Sequence, residues 1–487
     1  MAETTSAVAT PVSKSEHHFV RAIGLFDGTM IVVGSMIGSG IFIVAADIAR
    51  QTGSAGGLLL TWILSGILTI AAALSYGELA AMMPQAGGQY VFLREAYGGM
   101  WAFCFGWTLL LVIQTGTIAA VAVAFARFTS VLVPALSPDV FLGFKVHLPS
   151  GPIEMGLSPQ RILAIASVIL LTWINVRGVR TAALIQTSLT LIKATALTAL
   201  ILLGLTIGRD PHAISVNFGS HFLPPGGIKL ELLPLLGAAM VGALFSMDAW
   251  NNVGFASGEL KNPKRDLPFA MVCGVGIVTA LYLLANLAYL SVLPLSSIAN
   301  APQDRVATAV LQAVLGNVGL VLMAVAIMIS TFGCNNGLIL SGARVYYAMA
   351  RDGLFFRGAG TLHPRHQTPT AALIMQALWT SVLCLSGTYS QLLDYVIFAA
   401  VLFYLLTAVG LFALRFSRPD AERPVKVPGY PWLPGLYVVL MGAIGVDLLV
   451  VKPQYTWPGL IIVALGVPVY YAWRFAAAGR ARSPTAA

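Results

Sequence analysis

Residues 32–44 read VVGSMIGSGIFIV, an apolar run interrupted at its centre by Gly34, Ser35, Gly38, Ser39 and Gly40. The stretch is greasy enough to enter lipid, yet it places its helix-weakening residues at mid-depth, where an unpaired backbone group is most expensive. Glycine in a helix interior costs about 1 kcal/mol relative to alanine, so three glycines within seven residues weaken the helix where lipid helps least. The freed backbone must serve another purpose.

The rest of the chain sets the class. Of its 487 residues 57% are hydrophobic and 10% charged, with a mean hydropathy of +0.83. A soluble domain is about 25% charged, so this chain has too little polar surface to cover a globule and reads as an integral membrane protein. Apolar stretches fall at 28–50, 58–83, 100–135, 161–177, 181–208, 232–257, 268–294, 309–347, 370–387, 391–415, 433–452 and 457–475, numbered here spans 1 to 12. Each is near or above the roughly 20 residues that a ~30 Å hydrocarbon core demands. The expected fold is therefore an all-α polytopic membrane protein of twelve transmembrane helices, without the alternating ten-residue strands of an outer-membrane barrel. Its expected organisation is a tail over 1–25, spans 1 to 5 over 26–208 and a loop over 209–231. Spans 6 to 10 follow over 232–415, a loop over 416–432, spans 11 and 12 over 433–475 and a tail over 476–487.

Basic residues orient this arrangement. With an even number of spans both termini share one side, and that side carries nineteen lysines and arginines against eight opposite, the twenty-eighth being Lys193 inside span 5. The positive-inside rule places both termini in the cytoplasm of a cell or inner membrane, and the net charge of +9 needs no nucleic acid to explain it. Residues 1–25, with Glu16, His17 and His18 and no apolar core, read as a polar tail and not a signal peptide. Residues 84–99 surround an amphipathic YVFLREA and read as a short cytoplasmic interfacial helix at the inner mouth.

Several classes of chemistry are disfavoured. Cys104, Cys273, Cys334 and Cys384 all lie within spans without metal-ligand spacing, so they read as packing residues; no metal or cofactor is expected. There is no GxxxxGK[ST] phosphate loop, and an intramembrane enzyme would need a paired nucleophile and base that the spans lack. A channel would keep a continuous polar pore. Glu78 and Glu259, near span ends, read as solvated or gate-packing groups.

A second interruption resembles the first. Span 6 contains FSMDAWNNVG at 245–254, where Ser246, Asp248, Asn251, Asn252 and Gly254 break an apolar run. Spans 1 and 6 open two successive sets of five, and corresponding breaks in two halves point to a midplane binding site in a transporter. The alternative is that Gly34, Gly38 and Gly40 merely permit close helix packing.

The first-span glycines, YGELAAMMPQAGGQYVFLREAYG at 76–98, WNNVGFASGELKNPKRDLPFA at 250–270, and LSGARVYYAMARDGL with HPRHQTP within 340–369 resemble the L-type branch of the amino acid, polyamine and organocation superfamily. The resemblance runs from about Gly24 to the end of span 10, and spans 11 and 12 match only in hydropathy. It implies a five-plus-five inverted repeat with broken spans 1 and 6, and a secondary transporter of L-amino acids. The implied mode is sodium-independent exchange by alternating access. Proton-coupled uptake, or transport of polyamines or cationic amino acids, is the alternative.

In this reading the N–H groups of Ser39, Gly40 and Ile41 hold the substrate carboxylate, favoured by the helix dipole. The carbonyls of Ile37, Phe245 and Ser246 hold its ammonium, and the Phe245 ring caps the substrate from outside. Lys193 lies roughly 18 Å into span 5, too deep to snorkel comfortably, and such a lysine costs about 3 kcal/mol unless paired or wetted. The resemblance places it where sodium-coupled relatives of the fold bind their ion. Asp248 stands where neutral-substrate members carry glycine and some cation-accepting members carry aspartate; a continuous helix would lift it roughly 16 Å above the inner end of span 6. Two roles are open to it: a neutral carboxyl bonded to its own unwound helix, or a wall of the side-chain pocket. Animal members join a glycoprotein through a cysteine between spans 3 and 4. That loop has none here, so no disulfide-linked heavy subunit is expected.

Overall fold

In the computed structural model, residues 19, 21–148, 151–220, 222–224, 227, 232–386, 389–451 and 453–481 are described. Most of the expected N-terminal tail, parts of the loop over 209–231 and residues 482–487 lie outside them. Among the described residues nine helices are long and apolar enough to cross a membrane. A tenth candidate is the pair Leu25–Met36 and Gly40–Thr52, bent by 42° at a short break, and two shorter apolar helices are Leu233–Ser246 and Thr370–Ser386. These elements lie at the positions of the twelve expected spans, and the chain is an all-α polytopic membrane protein.

Local sequence sets where these helices start and stop. Gly53 ends span 1 in the left-handed conformation, and Ser54 then caps span 2 (Ala55–Met82) by accepting from the Gly57 N–H at 3.1 Å. Ser158 caps span 4 (Pro159–Val176) in the same way, with proline in the first turn where no N–H is needed. Span 8 runs over Val306–Arg351, 46 residues, about 69 Å if straight and twice a hydrocarbon core. Gly316 relieves this by turning the chain at φ 63°. The loop between spans 3 and 4 contains an antiparallel pair of strands, β1 (Leu142–Leu148) with β2 (Gly151–Leu157).

The surface is apolar and the interior is partly polar. Leu184, Val318 and Leu378 are each about two-thirds exposed, whereas Asn175, Gln186, Lys193, Asn336 and Arg344 are buried. That inversion suits a lipid solvent, in which buried polar groups must find partners within the bundle. Asn336 donates to the Ala182 carbonyl at 3.1 Å and to Gln186 at 3.0 Å, tying span 8 to span 5 (Val179–Leu205).

One end of the bundle is sealed by ion pairs and by backbone contact. Arg344 and Glu259, each 1% exposed, pair at 2.9 Å, and Glu78 is clasped by Arg415 of span 10 (Tyr389–Ser417) and by Arg423. Both glutamates are therefore buried ion-pair partners and not solvated charges. The helix Gln89–Tyr97 lies against the second half of span 6: the Gly87 N–H donates to the Phe255 carbonyl at 3.1 Å and Asn251 donates to Gln89 at 2.9 Å. Gly88 is required there, since its φ is 47° and a Cβ would fall 2.8 Å from the Gly254 backbone. On the outer face of this helix burial raises the Glu95 carboxyl, but hydrogen bonds from Arg418 and Arg94 outweigh it and hold Glu95 below its ordinary range. The support it lends is present above the ordinary carboxylate range and fades as pH falls through the depressed value.

Candidate functional site

The interrupted segments of spans 1 and 6 meet. Residues 37–39 separate Leu25–Met36 from Gly40–Thr52, and residues 247–251 separate Leu232–Ser246 from Asn252–Phe255. Tyr282 of span 7 (Pro263–Val292) joins the two breaks, its hydroxyl lying 2.9 Å from the Met36 carbonyl and 3.2 Å from the Ser246 carbonyl. The glycines permit this closeness. A Cβ on Gly40 would overlap Ser246 Oγ and lie 2.7 Å from its Cβ; on Gly34 it would overlap Thr190 and Gln186 of span 5; on Gly38 it would fall 3.1 Å from Cys334 Sγ. Close packing is thus part of what these glycines do.

Unwinding span 1 exposes its carbonyls, and side chains of three other spans take them. Lys193 donates to the carbonyls of Gly34, Ile37 (2.8 Å) and Ser330 (3.3 Å), three acceptors for three N–H bonds. Ser330 Oγ lies 3.0 Å from both the Ile37 and Gly38 carbonyls, Cys334 Sγ lies 3.0 Å from the Ser35 carbonyl, and Tyr289 reaches the Ile41 carbonyl at 3.3 Å. Lys193 is 1% exposed, so these dipoles replace water around its ammonium.

This bears on each candidate group. The Ile37 carbonyl receives Lys193 at 2.8 Å, and Ser330 Oγ, with a single proton to donate, lies 3.0 Å from it and from the Gly38 carbonyl. The Phe245 carbonyl receives the Asp248 N–H at 3.1 Å, and the Ser246 carbonyl lies 3.2 Å from the Tyr282 hydroxyl, whose single proton it shares with the Met36 carbonyl. At the start of Gly40–Thr52, helix geometry gives the Gly40 and Ile41 N–H groups no acceptor within the helix, and the positive end of the dipole lies there. Ser39 stands at the N-cap position beside them. The Phe245 side chain is 6% exposed and so does not face lipid.

Asp248 lies within the break of span 6. Because the helix ends at Ser246, the rise reckoned from a continuous helix to Glu259 does not apply. Its carboxylate accepts a hydrogen bond from the Tyr404 hydroxyl of span 10, inside an aromatic group in which Tyr76 lies 4.8 Å from Trp250 and 6.0 Å from Tyr404. Two small cavities border it, of about 10 and 20 Å³, each with room for about one water.

Ala249 follows with φ 68°, a left-handed conformation that strains a residue with a Cβ. Ala249→Gly is expected to keep the fold at wild-type stability. Ala249→Val, with a branched Cβ at that φ, is expected to lose about 1–3 kcal/mol. Thermal unfolding in detergent reads both, and equal midpoints for the two variants would argue against strain at this position.

Several of these residues were not singled out by sequence. Ser330 and Cys334 are four apart on one face of span 8, and Tyr282 and Tyr289 are seven apart on span 7, a helical spacing that could have marked them. Cys334 does more than pack, while Cys273 is exposed on the outer surface of span 7.

Comparison with known proteins agrees with this geometry. The family model described as amino acid permease matches residues 23–470. The chain is 32% identical over 458 residues to the mouse protein named large neutral amino acids transporter small subunit 2, covering 93% of this chain and 80% of that one. It is 28% identical over 459 residues to the human b(0,+)-type amino acid transporter 1, covering 93% and 87%. It is 30% identical over 453 residues to the serine/threonine exchanger SteT of Bacillus subtilis (strain 168), covering 93% and 96%. With a match spanning nearly its whole length and two broken spans that meet through Tyr282, the chain belongs to the amino acid permease family.

Proposed function

We propose that this permease exchanges L-amino acids across the cytoplasmic membrane by alternating access, without sodium. The observation that carries the reading is the Lys193 ammonium seated among the carbonyls of Gly34, Ile37 and Ser330. An oxygen-lined cage of this kind suits a metal cation, and a fixed lysine charge in it removes the need for one. The substrate carboxylate binds at the N–H groups of Ser39, Gly40 and Ile41, and its ammonium at the carbonyls of Ile37, Phe245 and Ser246. Spans 1 to 5 and 6 to 10 move as inverted halves, and the basic-rich end sealed by Arg344 and Glu259 is cytoplasmic. No reaction is catalysed, and no disulfide-linked subunit is needed, since the loop between spans 3 and 4 has no cysteine.

Counterflow of labelled serine and leucine in proteoliposomes tests this directly. Uptake is expected to require an amino acid inside the vesicle and to proceed equally in sodium and choline. Uptake into empty vesicles driven by a proton gradient would instead support proton coupling.

Two roles stand against each other for Asp248, scaffold and pocket wall. With its carboxylate bound by Tyr404, we expect it to act as part of the scaffold, so leucine, serine, arginine and glutamate should inhibit labelled alanine uptake in the same order in wild type and Asp248→Gly. Arginine competing only when Asp248 is present would place the carboxylate in the substrate pocket, as a like-charge filter against acids.

A further inference from the structure

We propose that the end of the bundle opposite the Arg344–Glu259 seal carries a binding site for a phosphate- or carboxylate-bearing anion, formed by Arg127, Arg161 and Arg305. A pocket of about 750 Å³ opens there between the end of span 3 (Gly99–Leu132), the start of span 4 and the segment entering span 8. That volume lies within the range of about 300–1,000 Å³ typical of small-molecule sites. Three arginines line it and, among the described residues, no aspartate or glutamate does. The rest of its polar wall includes the hydrogen-bonding side chains of Ser130, Thr308 and Gln312.

The charge distribution makes this convergence informative. The topology read from the sequence assigns eight of the 28 lysines and arginines to this side, and three of those eight line one pocket. Backbone contacts position two of them: Arg127 donates to the Gln303 carbonyl, and Arg161 donates to the Gly156 and Leu385 carbonyls, both at 3.0 Å. Arg305 makes no side-chain hydrogen bond among the described residues, although its neighbour Asp304 is engaged with Arg50 at 2.8 Å. Burial and the nearby Arg127 charge both pull the Arg305 guanidinium below its ordinary value. Like charges held together in a partly desolvated recess raise the local energy, and an oxyanion bridging planar guanidinium groups relieves it. A free anion and the headgroup of an anionic lipid present the same chemistry.

The test uses the purified full chain. Its unfolding midpoint is followed against inorganic phosphate at constant ionic strength, and separately in phosphatidylcholine bilayers with and without phosphatidylglycerol. Wild type is expected to show a saturable rise of about 2–4 °C with phosphate, with phosphatidylglycerol, or with both. Arg305→Gln should lose at least half of that rise, and Arg127→Gln/Arg305→Gln all of it. Arg209→Gln, at the same end but outside the pocket, should keep it. A rise with phosphate identifies a soluble anion as a sufficient ligand; a rise with the lipid alone assigns the site to a headgroup. No rise with either probe, or a rise that survives in Arg305→Gln undiminished, overturns the proposal. Arg305→Gln suffices should the double variant fail to fold.

Discussion

Replacing Lys193 with alanine is expected to lower the initial rate of amino acid exchange by at least about tenfold, while wild-type exchange stays the same when choline replaces sodium. The variant withdraws three N–H donors from the carbonyls of Gly34, Ile37 and Ser330 in a region with almost no exposure. Leaving a buried acceptor unpaired costs about 1–3 kcal/mol, and here the loss falls on the segment that must hold its unwound shape to bind substrate. Lys193→Arg is a sharper probe. It keeps the charge but brings a planar fork where a compact ammonium fits three converging carbonyls, so it too should transport poorly. A steep sodium requirement in wild type would refute the reading of Lys193 as a fixed cation, and near-normal exchange by Lys193→Ala would show that the cage holds its shape without it.

Gly40→Leu is expected to abolish substrate binding and transport while the protein still folds and inserts. Even a single Cβ there overlaps Ser246 Oγ, so a leucine drives the second half of span 1 away from the first half of span 6. In the proposed site this displaces the N–H groups of Gly40 and Ile41 from the carbonyls of Phe245 and Ser246. Packing and ligand contact can be separated with a paired change. Gly40→Ala should lose most activity, and Gly40→Ala/Ser246→Gly should recover part of it, because Ser246→Gly removes the two nearest atoms and leaves the carbonyl in place. Binding of labelled alanine by scintillation proximity reads all three variants. Unchanged affinity in Gly40→Leu would remove this segment from the site; no recovery in the double variant would assign Gly40 to ligand contact alone.

How much of this was legible beforehand differs from residue to residue. The break in span 1 was visible because glycine and serine act locally: helix weakening needs no knowledge of the rest of the chain. Lys193 was visible as a problem, since depth along a helix follows from counting residues, but its solution was not. Its acceptors lie 159, 156 and 137 positions away and belong to two other spans. Asp248 shows the opposite case. Counting along an assumed continuous helix misled, because the chain leaves the helix at Ser246, and its partner Tyr404 is 156 residues distant. The hairpin over Leu142–Leu157 escaped notice because its two strands interrupt a loop dense in glycine and proline, without sustained alternation.

The sequence by itself determined the solvent, the all-helical class and the two places where spans give up their helices. Those properties are sums over neighbouring residues: hydropathy over about twenty positions and conformational preference over a few. Only the tertiary structure decided which groups close on the exposed carbonyls. In lipid every unwound carbonyl must find a donor, and whether Ile37 receives Lys193, Ser35 receives Cys334 or Met36 receives Tyr282 depends on how spans 5, 7 and 8 pack around the break. The same packing sets Glu259 against Arg344 across 85 residues, a pairing that neither charge reveals in its own surroundings in the chain.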